Sequence, residues 1–110
     1  MASFERYYSS GVTSVETDIH TSNASDAAQA DIVIGMTISN SGLSEATASA
    51  YISGAGATDV YLARDVVIPK SGSVEVVQGK IVLDNTDVVK VKASAGQVDV
   101  WLSVLDNAAA

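Results

Sequence analysis

The chain has 110 residues, a net charge of −7, no cysteine and one histidine, and 47% of it is hydrophobic, with only one Trp, one Phe and four Tyr. That length fits a single domain with a self-sufficient but modest core, one that oligomerisation would naturally supplement. The composition excludes a disulfide framework and any thiolate metal site, and the acidic balance argues against nucleic acid and against anionic membrane surfaces as partners.

The charge is uneven. Residues 1–63 hold seven acids (Glu5, Glu16, Asp18, Asp26, Asp31, Glu45, Asp59) against Arg6 alone, and residues 64–110 hold six acids and five bases. The N-terminus carries no apolar signal region, and no apolar run approaches the roughly 18 residues that span a bilayer, so synthesis in a cytoplasm is expected.

Residues 1–12 contain FERYY and then SSG, an aromatic and charged cluster followed by a joint. Two readings stand: an arm that docks elsewhere, or an edge strand, and in either Phe4, Tyr7 and Tyr8 are costly to leave in water. From Val12 to His20, Val15 and Ile19 share the parity of Thr17 while Glu16, Asp18 and His20 take the other, the period of a half-buried strand. TSNASDAAQA reads as a loop with room for one helical turn. The segment Asp31 to Asn40 is a strand expected to set Ile32, Ile34, Met36 and Ile38 on one face and Val33, Gly35, Thr37 and Ser39 on the other.

Asn40 to Gly42 supplies a turn. ATASAYIS then sets Ala46, Ala48, Ala50 and Ile52 against Thr47, Ser49 and Tyr51, the small inward residues implying close approach of another layer or another subunit. GAGA at Gly54 to Ala57 connects to TDVYLARDVVI, with Val60 and Leu62 in register. Pro69 has no donor for a ladder, so PKSGS turns the chain. Val74 and Val76 alternate with Glu75, Gly79 bends the chain, and Lys80 to Leu83 is a short run ending at the DNTD turn, Asp84 to Asp87. Val89, Val91 and Ala93 face inward with Lys90 and Lys92 outward, where lysine also discourages edge pairing. After AGQ at Ala95 to Gln97, Val98, Val100, Leu102 and Val104 complete the last strand, with Trp101 on the opposite parity.

About eight short strands with turn signals every eight to twelve residues predict an all-β fold, a single antiparallel β-sandwich or small jelly-roll-like barrel over residues 13–106, with residues 1–12 as arm or edge strand and 107–110 as a tail.

Little in the chain looks catalytic. His20 has Asp18 and Glu16 beside it at strand spacing, but the expected arrangement is a solvent-facing polar stripe, with no second His or Cys to complete a transition-metal site. Asp84 and Asp87 lack calcium-loop spacing and read as turn caps. Gly42-Leu43-Ser44-Glu45-Ala46 lacks the final glycine of a nucleophile elbow, and Gly54 and Gly56 lack the third glycine and helix of a phosphate loop. Asn23-Ala24-Ser25 is a chance match to a glycosylation acceptor. Acid pairs for glycoside hydrolysis are not placed together by any spacing. No enzyme activity, cofactor or metal is expected. Trp101, off the parity of the aliphatic face, marks a subunit contact or ligand platform, or else is covered by the N-terminal arm or caps the core near an edge. With Tyr51, Tyr61 and Leu105 on the less apolar faces of their strands, and Phe4, Tyr7 and Tyr8 at the N-terminus, it makes the candidate contact set.

The string YLARDVVIPKSGSVEVVQGKIVLDNTDVVKVKASAGQVDVWLSVLD resembles a group of small virion proteins of tailed bacteriophages. The shared layout falls on Arg64 through Pro69, Gly79 through Leu83, Asp84 through Asp87, Val89 through Ser94 and Val98 through Asp106, and more loosely on Ile32 to Asn40. The resemblance implies a non-enzymatic particle component of the capsid or of the neck and tail. It would be made in the host cytoplasm and localised to the virion, contacting the major capsid protein or neck and tail proteins. Copies at a symmetry axis close into a ring, commonly a trimer. Two other readings are a carbohydrate- or host-receptor-binding module, which needs exposed aromatics beside a groove, and an enzyme, which needs a pocket where His20 meets a partner distant in sequence.

Overall fold

Alternating Val, Ile and Ala in short runs can bury one face of each strand only if two sheets close on each other. The computed structural model, which describes residues 3–22, 31–54, 59–77, 79–83, 87–94 and 97–106, has this arrangement. It is an all-β sandwich with nine strands among the described residues: β1 (Ser3–Val12), β2 (Thr17–Thr21), β3 (Asp31–Asn40), β4 (Ala46–Ser53), β5 (Val60–Ile68), β6 (Ser73–Glu75), β7 (Ile81–Leu83), β8 (Val88–Ala93) and β9 (Val98–Asp106). One sheet runs β1-β9-β3-β6 and the other β2-β8-β4-β5, all pairs antiparallel. The far edge of β3 is shared: β7 pairs with Asp31 to Val33 and β6 with Thr37 to Ser39.

The core lies between the sheets. Val98, Val100, Leu102 and Val104 of β9 face Val89, Val91 and Ala93 of β8 and Ala46, Ala48 and Ala50 of β4, all buried as their alternation predicts. Asn40 ties the sheets at one end: its amide donates to the carbonyls of Ser44 (2.8 Å) and Ile68 (3.0 Å), and its Oδ1 accepts the Gly42 N–H at 2.9 Å. The PKSGS turn closes with Gly72 N–H donating to the Pro69 carbonyl at 2.9 Å.

Several expectations are corrected, two of them through bulges, each of which inserts a residue and reverses parity beyond it. In β3 the register shifts between Val33 and Gly35, so Val33, Met36 and Ile38 point inward and Ile34 is 41% exposed. In β2 it shifts between Asp18 and His20, so Ile19 and His20 are both buried, and His20 leaves the polar stripe. Val15 precedes β2 and is exposed, as is Val60 at the start of β5. Lys90 and Lys92 do face outward, but β8 is an interior strand flanked by β2 and β4, so they guard no edge. Residues 3–12 form an edge strand along β9. The expected loop at 23–30, most of GAGA and DNTD, the Ala95-Gly96 turn, the Asn23 acceptor and the 107–110 tail fall outside the described residues.

Candidate functional site

The outer face of the β1-β9-β3 sheet carries much of the contact set. Antiparallel register places Phe4, Leu105, Ile32 and Val82 in one cross-strand row and Tyr8, Trp101, Thr37 and Glu75 in another. Phe4 is 76% exposed and Trp101 47%, with Tyr8, Ile34 and Val82 also exposed. The Tyr8 and Trp101 rings stack, 5.4 Å between centroids and 14° from parallel. The Arg6 guanidinium stands over both, at 5.7 and 5.6 Å, within cation–π range. Gly35 opens the floor between the two rows: a Cβ built there meets nothing. Beside Trp101 runs a groove of about 250 Å³, edged by Tyr8, Ser10, Thr37, Ser39 and Asp99. Asp99 is oriented by accepting the Gly11 N–H at 3.1 Å, and Thr37 by donating to Glu75 at 2.7 Å.

The outer face of the second sheet corrects the assignment of Tyr51. It points away from the core as its parity requires, yet it has no exposed surface. Tyr61, its cross-strand partner, covers it at 5.0 Å between ring centroids, and Lys92 reaches to 5.8 Å from its ring. Arg64 lies over Tyr61 in turn, at 5.0 Å. Burial first, and the Glu16 carboxylate second, raise the Tyr51 pKa well above the usual phenol range, although the hydroxyl makes no hydrogen bond of good geometry. Glu16 is lowered by that hydroxyl foremost and by Lys90, 3.5 Å away. Tyr51 therefore stabilises the sheet and is closed to partners, while Tyr61 remains half-buried at the surface. A polar cleft of about 270 Å³ opens nearby between Ser14, Thr47, Ser94 and Lys92. Its wall is the β5 bulge, where Asp65 adopts φ 50° and its N–H donates to Ser49 Oγ at 2.8 Å.

Tyr7 is the second correction. It lies on the inward parity of β1, packs against the core, and stacks on His20 with centroids 4.1 Å apart. Its hydroxyl donates to Asp106 Oδ2 at 2.6 Å; burial, then this bond, raises its pKa far beyond the ordinary range. His20 Nε2 lies 2.9 Å from Asp31 Oδ2 and 3.7 Å from Asp106 Oδ1. One imidazole from β2 thus meets two carboxylates from β3 and β9, joining the sheets at the end where β1 begins. Asp31 is completely buried, and 13% of the Asp106 side chain is exposed. Sequence reading missed both acids. Asp106 had a visible signal, since it continues the inward parity of Val98 to Val104, whereas Asp31 and His20 turn inward only because of bulges. Acids that no spacing brought together are therefore brought together by the fold, beside a histidine but away from either groove. Comparison with protein-family models, with curated proteins and with solved structures returns no match for this chain.

Proposed function

We propose that this chain is a non-enzymatic structural protein of a tailed-bacteriophage particle, decorating or stabilising the capsid or the neck and tail through subunit contacts. The observation that carries the reading is the outer face of the β1-β9-β3 sheet. Phe4, Tyr8, Trp101 and Leu105 form an aromatic and aliphatic surface that the core does not use, with Arg6 as the cation among them. Aromatics with an arginine are the composition that dominates contact energy in protein interfaces. Copies of the chain related by closed symmetry, a trimer in the simplest ring, would cover this face against one another or against the major capsid or neck and tail protein. The sequence resemblance supplies the particle; the exposed face supplies the means of attachment.

The test is to purify particles, identify this chain by mass spectrometry and locate its density by cryo-electron microscopy. The expected result is density at symmetric positions with the Trp101 face covered. Particles that contain no copy of the chain would sink the proposal.

A second reading rests on the groove beside Trp101. A half-exposed indole next to Ser39, Thr37 and Asp99 offers a stacking platform and hydroxyl-directed hydrogen bonds, the equipment of a glycan-binding module on the particle surface. Glycan-array binding that Trp101→Ala abolishes would favour it over the first.

A further inference from the structure

We infer that His20, Asp31 and Asp106 form a binding site for a divalent transition-metal cation, Zn²⁺ foremost, that clips the two sheets together at one end. The inference is independent of the assembly role proposed above. One ligand atom each from His20, Asp31 and Asp106 lies within 4.8 Å of the other two. Ligands about 2.0–2.2 Å from a tetrahedral zinc stand roughly 3.3–3.6 Å apart, and the separations of 2.9 and 3.7 Å from the imidazole bracket that span.

A second observation comes from Asp106. Its Oδ1 is buried and has no hydrogen-bond partner, although it points toward the imidazole. A buried carboxylate oxygen left without a partner is costly. The 3.7 Å to His20 is too long for a hydrogen bond, so the imidazole compensates Asp31 and leaves Asp106 Oδ1 unmet. A cation between the three donors would serve all of them at once.

The surroundings have the form of an outer coordination shell. Tyr7 holds Asp106 by its other oxygen, Oδ2, and so leaves Oδ1 directed at His20, while its ring stacks on the imidazole and fixes the plane. One nitrogen and two carboxylate oxygens suit zinc, cobalt or manganese better than calcium, which prefers six to eight oxygens. Asp106, with 13% of its side chain exposed, provides the way in.

The test uses tag-free full-length protein stripped with EDTA and dialysed. Thermal unfolding is followed with and without ZnCl₂, and CoCl₂ is added to read the visible ligand-field bands of a bound ion. Wild type should melt several degrees higher with Zn²⁺ and should give Co²⁺ bands that Zn²⁺ displaces. Asp106→Asn should weaken binding by about tenfold or more, and Tyr7→Phe by about tenfold through the lost outer-shell bond. Asp18→Asn, an exposed acid on the same strand, should bind as wild type does. Absence of both a melting shift and Co²⁺ bands in wild type at millimolar metal overturns the site, as does an undiminished shift in Asp106→Asn. The Co²⁺ spectrum requires no variant to fold.

Discussion

Leu102 and Trp101 are neighbours on β9 that face opposite sides, and truncating each to alanine separates the work of the core from that of the surface. Leu102 has no exposed surface and sits between its cross-strand partners Tyr7 and Met36. The opposing sheet presents Ala46, Ala48, Ala50 and Ala93 beside Val89 and Val91, mostly short side chains that can move little into the space that Leu102→Ala would leave. Leucine-to-alanine changes in such cores cost about 2–5 kcal/mol, rising with the residual cavity, and this setting favours about 3–4 kcal/mol. A domain of this size is stable by about 5–15 kcal/mol in total, so the variant should fold but melt roughly 10–20 °C lower. Trp101→Ala opens no cavity. It removes the stack on Tyr8 and a half-covered indole, about 1–2 kcal/mol. Urea unfolding followed by circular dichroism measures both, and sedimentation or particle incorporation reads assembly. Trp101→Ala should lose assembly while keeping most of its stability, and Leu102→Ala should do the reverse. Equal stability losses, or a Leu102→Ala cost below about 1 kcal/mol, would refute the division of faces.

Asn40→Ala should cost about 2–4 kcal/mol, because three hydrogen bonds disappear and the Ile68 carbonyl loses its Asn40 donor, while the Ser44 carbonyl keeps Gln97 Nε2 at 2.8 Å. Asn40→Asp should not rescue it, since a carboxylate donates to neither carbonyl; urea midpoints decide the point. Alkaline stability follows from Tyr7 and Tyr51, whose folded pKa values are raised above the unfolded value near 10. Up to that pH both states hold the phenolic protons. Above it the unfolded state releases them first, so stability falls as pH rises past about 10. Absorbance at 295 nm should show a late tyrosine phase that coincides with loss of the β-sheet signal, and Tyr51→Phe should diminish the alkaline loss. A single titration of all four tyrosines near pH 10 with the fold intact would contradict the burial.

Local pattern was sufficient wherever the alternation ran unbroken. β4, β8 and β9 needed only period two: Ala48, Val91 and Leu102 are buried and Trp101 is out, as their parity states. Asp106 was readable by the same rule, as an acid on the core-facing parity of β9. The pattern failed where bulges intervened, because the extra residue is set by the partner strand. Nothing in DIVIG or in TDIH marks the shift that exposes Ile34 or buries His20.

The sequence by itself therefore determined the all-β class, the aliphatic faces and the outward indole, since each depends on a residue and its neighbours two places away. Tertiary structure alone decided that Tyr51 is covered, that Tyr7 lies on His20, and that His20 meets Asp31 and Asp106 across 11 and 86 positions. Those outcomes depend on which strands pair, in what register, and what the second sheet lays over the first. Such long-range choices are fixed by the packing free energy of the whole molecule, to which no short stretch of residues holds the key.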